Sequence, residues 1–147
     1  VAGLPPSQAA TRLQGAGPYH YFGVSVAGAG DVNGDGYDDV VVGSNYTDGE
    51  ADEGAAFVFL GSPTGIPSGS SASAHAVLQG GQVNSGFGYS VAAAGDVNDD
   101  GYSDVIVGAP SYDNGQTNEG RAFVYRGSSI GLAETAAWSA ESDQAHG

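Results

Sequence analysis

Short apolar runs, each bounded by glycine or aspartate, alternate with polar stretches along the whole chain. Residues 22–29 alternate: Phe22, Val24, Val26 and Gly28 face one way, and Gly23, Ser25 and Ala27 the other, as in a half-buried strand. Residues 39–43 and 55–60 are nearly continuous apolar runs, the pattern of strands covered on both faces. Residues 75–79 are more polar and suit an outer edge strand. No stretch carries a helical period.

The pattern occurs twice. FGVSVAGAGDVNGDGYDDVVVG (22–43) and FGYSVAAAGDVNDDGYSDVIVG (87–108) align without a gap at an interval of 65 positions. EGAAFVFLGSPTGI (53–66) and EGRAFVYRGSSIGL (119–132) continue the match with one extra residue in the second copy. An upstream segment appears three times in looser form, as ATRLQG (10–15), HAVLQG (75–80) and AAWSAE (136–141), which sets Trp138 against Val77. Each unit of roughly 65 residues therefore holds four short strands, and such a repeat predicts an all-β propeller built of four-stranded antiparallel blades, two of them in this chain. The expected division is 1–21 as the outer strand of a preceding blade with a linker, 22–86 as one blade and 87–147 as the next. A β-solenoid is the runner-up, although its coils are shorter.

Between the first two strands of each unit lies an aspartate-rich hairpin. Counted from its first aspartate, positions 1, 3, 5 and 9 are Asp31, Asn33, Asp35 and Asp39 in one unit and Asp96, Asn98, Asp100 and Asp104 in the other. Position 6 is glycine (Gly36, Gly101) and position 7 tyrosine (Tyr37, Tyr102). Oxygen donors at alternate positions of a tight loop curl inward around one hard cation, glycine permits the sharp turn, and position 7 offers its backbone carbonyl. The set predicts one calcium ion per loop, two in all. It is not an EF-hand, since position 12 is Val42 or Val107 rather than glutamate. A plain Asn-Gly or Asp-Gly hairpin needs no ion, but such a turn calls for two special residues and not five in alternating register.

Charge narrows the partners. The chain carries 17 Asp+Glu against 3 Lys+Arg, a net charge of −14, which repels nucleic acid and anionic lipid. No run is apolar enough to predict membrane insertion, and the absence of cysteine excludes a disulfide scaffold and a thiolate zinc site. The 26 glycines, with abundant valine and aromatics, fit short strands and tight turns.

Other signals point to no chemistry. The sequences GVSVA (23–27) and GYSVA (88–92) resemble a nucleophile elbow, but each serine sits within a predicted strand and recurs per unit, so both are expected to be structural. His20, His75 and His146 are isolated, and no catalytic residue is assigned. Asn45-Tyr46-Thr47 is a glycosylation sequon. The loops between the second and third strands, 44–53 and 111–119, are long, polar and different in the two units, as recognition loops are. They nominate Tyr46, Asp48, Tyr112, Asp113 and Asn114 as a ligand surface, with Tyr19 and His20 nearby.

The FG pair opening each unit, the D-x-N-x-D-G-x-x-D loop and the V-G-A-P close at 107–110 resemble the FG-GAP repeat found at the head of integrin α chains and in many secreted bacterial proteins. Ser44-Asn45 in place of Ala109-Pro110, and the acidic stretch DGEADE (48–53), depart from the pattern. The resemblance implies a ring of about seven blades with calcium in the hairpins and ligands bound on the opposite face. The expected function is a calcium-binding, non-catalytic extracellular adhesion or binding module, secreted or on a cell surface, with a bacterial source. Its expected partners are other blades, by self-assembly or within a longer parent chain, and a protein or glycan ligand. An accessory or catalytic part of an exported hydrolase, and a purely architectural self-assembling unit, stay open as alternatives.

Overall fold

A computed structural model describes residues 10–16, 21–45, 53–115 and 117–141. The described residues form ten strands: β1 (Leu13–Gln14), β2 (Ser25–Gly30), β3 (Asp39–Ser44), β4 (Ala55–Phe59), β5 (Gly69–Ser70), β6 (Ala76–Gln79), β7 (Ser90–Gly95), β8 (Asp104–Ala109), β9 (Arg121–Tyr125) and β10 (Trp138–Glu141). Their one helical element is a 3-10 turn at Ser71–Ser73, capped by Ser70. Two four-stranded antiparallel sheets result, ordered β2-β3-β4-β6 and β7-β8-β9-β10, here called blades 1 and 2. Each has a register shift in its first strand, between Gly28 and Gly30 or between Ala93 and Gly95, immediately before the aspartate-rich hairpin. The bulge adds local twist and turns the hairpin out of the sheet.

The first strand is shorter than its alternation predicts. Tyr21 and Gly23 have φ of 50° and 93°, so the FG pair lies in a turn and the strand starts at Ser25. Freed from the strand, each phenylalanine folds onto the third strand of its blade. Phe87 packs edge-to-face with Phe123 and Tyr125 at 5.4 and 6.4 Å, and Phe22 meets Phe57 and Phe59, tilted and edge-on, at 5.5 and 6.3 Å.

The blades pack face to face. Val41, Ala56, Val58, Ala76 and Leu78 of blade 1 meet Phe87, Val105, Val107, Phe123 and Tyr125 of blade 2 in one buried cluster. Ser25 donates its hydroxyl to the Gly88 carbonyl at 2.8 Å, which explains a serine inside the first strand without nucleophile chemistry. His75 likewise joins the blades, its Nε2 accepting from Leu132 N at 3.3 Å.

A second cluster, Val42, Ala55, Phe57 and Phe59, lies on the other face of blade 1, partly covered by Leu13 and Phe22. Beside it runs an open apolar groove of about 530 Å³ lined by Leu13, Phe22, Val26, Val40, Val42 and Ile66, with Val26 68% exposed. β1 pairs with β5 in parallel. Arg12 N donates to Ser68 Oγ as Val77 N donates to Glu134 Oε2, and these pairs occupy equivalent repeat positions. β1 thus stands to blade 1 as β6 stands to blade 2.

One register differs from the sequence alignment. Trp138 pairs with Val124, as Ala76 pairs with Val58, so Trp138 takes the place of Ala76 and not of Val77. The connection into the outer strand is shorter in blade 2 (126–137 against 60–75), and pairing with β9 sets the register. Trp138 consequently lies on the face of blade 2 that points away from blade 1, and is 55% exposed.

Candidate metal centre

Both aspartate-rich hairpins fold alike, and side-chain oxygens organise them. In blade 1 the Asp31 carboxylate accepts from Gly34 N (2.7 Å) and Asp35 N (3.2 Å) on Oδ1 and from Gly36 N (2.8 Å) on Oδ2. Asp35 accepts from Tyr37 N at 3.0 Å and from the Asn33 amide at 3.1 Å. In blade 2, Asp96 accepts from Asp100 N (3.1 Å) and Gly101 N (2.8 Å), and Asp100 accepts from Tyr102 N (3.0 Å) and Asn98 (2.9 Å). Gly36 and Gly101 carry φ of 89° and 92°, the left-handed backbone for which glycine at position 6 is required.

The ninth-position aspartates tie each hairpin to its sheet. Asp39 and Asp104 begin β3 and β8 and are fully buried. Asp39 accepts from Val32 N and Gly61 N, both at 2.8 Å; Asp104 accepts from Val97 N at 2.7 Å and Gly127 N at 2.9 Å. Burial raises the pKa of Asp39, two backbone donors lower it, and the charges of Asp35 and Asp31 raise it further. Asp100 moves the other way, lowered first by the Tyr102 amide and then by Asn98.

The donor chemistry fits a hard cation. Each loop offers three carboxylates, an amide and the carbonyl of Tyr37 or Tyr102, all oxygen donors. A carboxylate oxygen that accepts one N–H keeps a second lone pair. Among the described residues no three acidic or histidine side chains stand close enough to form a closed metal cage. Hydrogen bonds to the carboxylates at positions 1, 5 and 9 keep the hairpins curled.

The second nominated surface has a different character. Tyr46, Asp48, Tyr19 and His20 lie outside the described residues, as does His146. Tyr112 is half-buried against Phe123 at 5.6 Å, with Arg121 4.8 Å above its ring. Asp113 N donates to Gln82 Oε1 at 2.7 Å and its carbonyl accepts from Gln82 Nε2, while its carboxylate accepts from Asn118 N. Asn114 N donates to Glu119, and its side-chain amide to Glu141, which pairs with Arg121 at 2.9 Å. These polar side chains lock the loop to the outer strand and to the linker between blades. Sequence reasoning missed Gln82, Glu119, Arg121 and Glu141 in this cluster; Gln82 and Glu141 lie 31 and 27 residues from Asp113 and Asn114, and nothing local marks them as neighbours.

Residues 22–59 and 87–125 each match the FG-GAP repeat family. The chain is 37% identical to integrin alpha-5 of Xenopus laevis over 125 residues, covering 82% of this chain and 11% of that protein. It is 37% identical to integrin alpha-3 of Cricetulus griseus, covering 82% of this chain and 11% of that protein, and 39% identical to integrin alpha-7 of Homo sapiens, covering 76% and 9%. The chain spans about a tenth of the length of these relatives. They are animal proteins and lend no support to the bacterial source expected from the sequence.

Proposed function

Because this chain belongs to the FG-GAP repeat family, we propose that it is a calcium-binding propeller segment acting as a non-catalytic recognition module outside the cell. The observation that carries the reading is the doubled oxygen-donor hairpin, organised in the same way at both copies. Calcium would be held by Asp31, Asn33, Asp35, Asp39 and the Tyr37 carbonyl in blade 1, and by Asp96, Asn98, Asp100, Asp104 and the Tyr102 carbonyl in blade 2. Its role there is structural: it offsets the repulsion of three carboxylates crowded into one turn. Thermal melts with calcium and with a chelator test this, and equal midpoints would overturn it. Asp35→Ala and Asp100→Ala should each lower the calorimetric stoichiometry from two ions to one.

The blades are proposed as units 22–86 and 87–147, with 1–21 contributing an outer strand to a blade before them. Their partners are other blades, in the same parent chain or a neighbouring one. The open groove beside Val26 and the bare face around Trp138 support this, being the two faces opposite the one buried interface. Light scattering checks whether the isolated chain supplies those blades by self-association; a monomer at high concentration excludes that route. We place a protein or glycan ligand on the connections between the second and third strands of each blade, 44–53 and 111–119. Tyr46, Asp48, Tyr112, Asp113 and Asn114 are its candidate contacts. Alanine at Tyr46 and Asp113 should weaken binding of a ligand found on a glycan or protein array, and unchanged binding moves the site elsewhere. We place the module in a secreted or cell-surface protein, a reading that its integrin relatives support.

A further inference from the structure

The two hairpins share a sequence pattern and differ in what stands behind them. Ser103 N, in the hairpin of blade 2, donates to the carbonyl of Asp31 at 3.0 Å. The Tyr102 ring closes on Gly34: a Cβ added there would come within 2.6 Å of it. Two consecutive amides then bridge the loops, since Gly127 N donates to Asp104 while Ser128 N donates to the Val32 carbonyl at 3.0 Å. Val32 is completely buried by these contacts, whereas Val97, its counterpart in blade 2, is 54% exposed. The hairpin of blade 1 has a wall and that of blade 2 has none among the described residues.

We infer that Tyr102, Ser103 and Ser128 of blade 2 act as positioning residues for the calcium site of blade 1. The inference rests on the calcium reading above. A loop already held in its bound shape loses less freedom on binding an ion than one that must first be ordered. The contacts hold the first-position residue itself, through the Asp31 carbonyl, and the turn that follows it, through Gly34. Tyr102 serves both sites by different atoms, its carbonyl toward its own hairpin and its ring toward the neighbouring one. The spacing of donors, identical in the two loops, carries none of this.

The test is a calcium titration of the whole chain followed through the backbone amide signals of Gly36 and Gly101, which report the sites separately. Tyr102→Ala keeps every proposed ligand atom and should raise the Gly36 midpoint about tenfold, the scale on which outer-shell partners act, with a smaller change at Gly101. Equal losses at both signals in the variant would overturn the inference while leaving calcium binding intact. Silence of both signals up to millimolar calcium would remove the calcium reading and this one together. In chelator, hydrogen exchange at Gly34 and Gly36 should accelerate in Tyr102→Ala; unchanged exchange would show that the ring supports nothing.

Discussion

Blade 1 and blade 2 carry nearly the same sequence and occupy different surroundings. Phe87 is fully buried between the sheets, and its counterpart Phe22 is half-covered at the edge of an open groove. Val32 is buried and Val97 bare, and Ala76 is covered where Trp138 is exposed. The difference follows neighbourhood. The face of blade 2 toward blade 1 and the face of blade 1 toward blade 2 are both covered; the outer face of blade 1 is only partly covered, by Leu13 and Phe22, and that of blade 2 leaves Trp138 exposed. A repeat of this kind draws its stability from stacking as well as from each unit, so equivalent residues need not be equivalent in energy.

The largest test of that contrast is aromatic. Phe87→Ala should destabilise by about 3–5 kcal/mol, the range for truncating a fully buried phenylalanine. Phe22→Ala should cost about half as much, because the groove already leaves its ring partly wet. Urea unfolding of both variants measures the ratio, and equal losses would mean that the interface adds little beyond each blade alone.

Calcium comes next. At a free concentration about 100-fold above its dissociation constant, one ion stabilises by about 2.7 kcal/mol. Asp35→Ala and Asp100→Ala should each forfeit part of the calcium-dependent rise in melting temperature, and Tyr102→Ala should lower it through the blade 1 site. An unchanged rise in Tyr102→Ala would break the comparison.

Alkali separates the blades by a similar amount. Burial pushes the Tyr125 hydroxyl up to about 12, and Phe59 holds the equivalent place in blade 1. Above its ordinary value near 10 the unfolded chain releases this proton while the folded chain keeps it. The stabilisation is complete below about pH 10 and is lost as pH rises through about 12, by roughly 2–3 kcal/mol. Tyr125→Phe should flatten that part of the stability profile. A profile unchanged by the substitution would assign alkaline unfolding to other groups.

The smallest effect concerns position 4 of the hairpins. Asp99 has φ of 57°, a conformation in which glycine is less strained, and unit 1 has Gly34 there. Asp99→Gly should stabilise by at most about 1 kcal/mol. The converse, Gly34→Asp, meets the Tyr102 ring and should destabilise. If both changes were neutral, the wall behind the first hairpin would not be in contact.

Much of this was legible in the chain. The 65-residue interval, the four strands per unit, the pleat of β3 and β4 and the aspartate ladder are local, because strand period and turn chemistry depend on residues a few positions apart. The sequence also determined that both hairpins would offer the same oxygen donors around a left-handed glycine. Tertiary structure alone decided the register of Trp138, set by pairing with β9 after a shorter connection, and the parallel seat of β1 on β5. It alone brought Gln82 and Glu141 to the loop 111–119, and set Tyr102 against Gly34. The physical reason is that two nearly identical units specify nearly identical local geometry, whereas burial and support depend on which surface stands next to each, and that is fixed by packing between segments far apart in the chain.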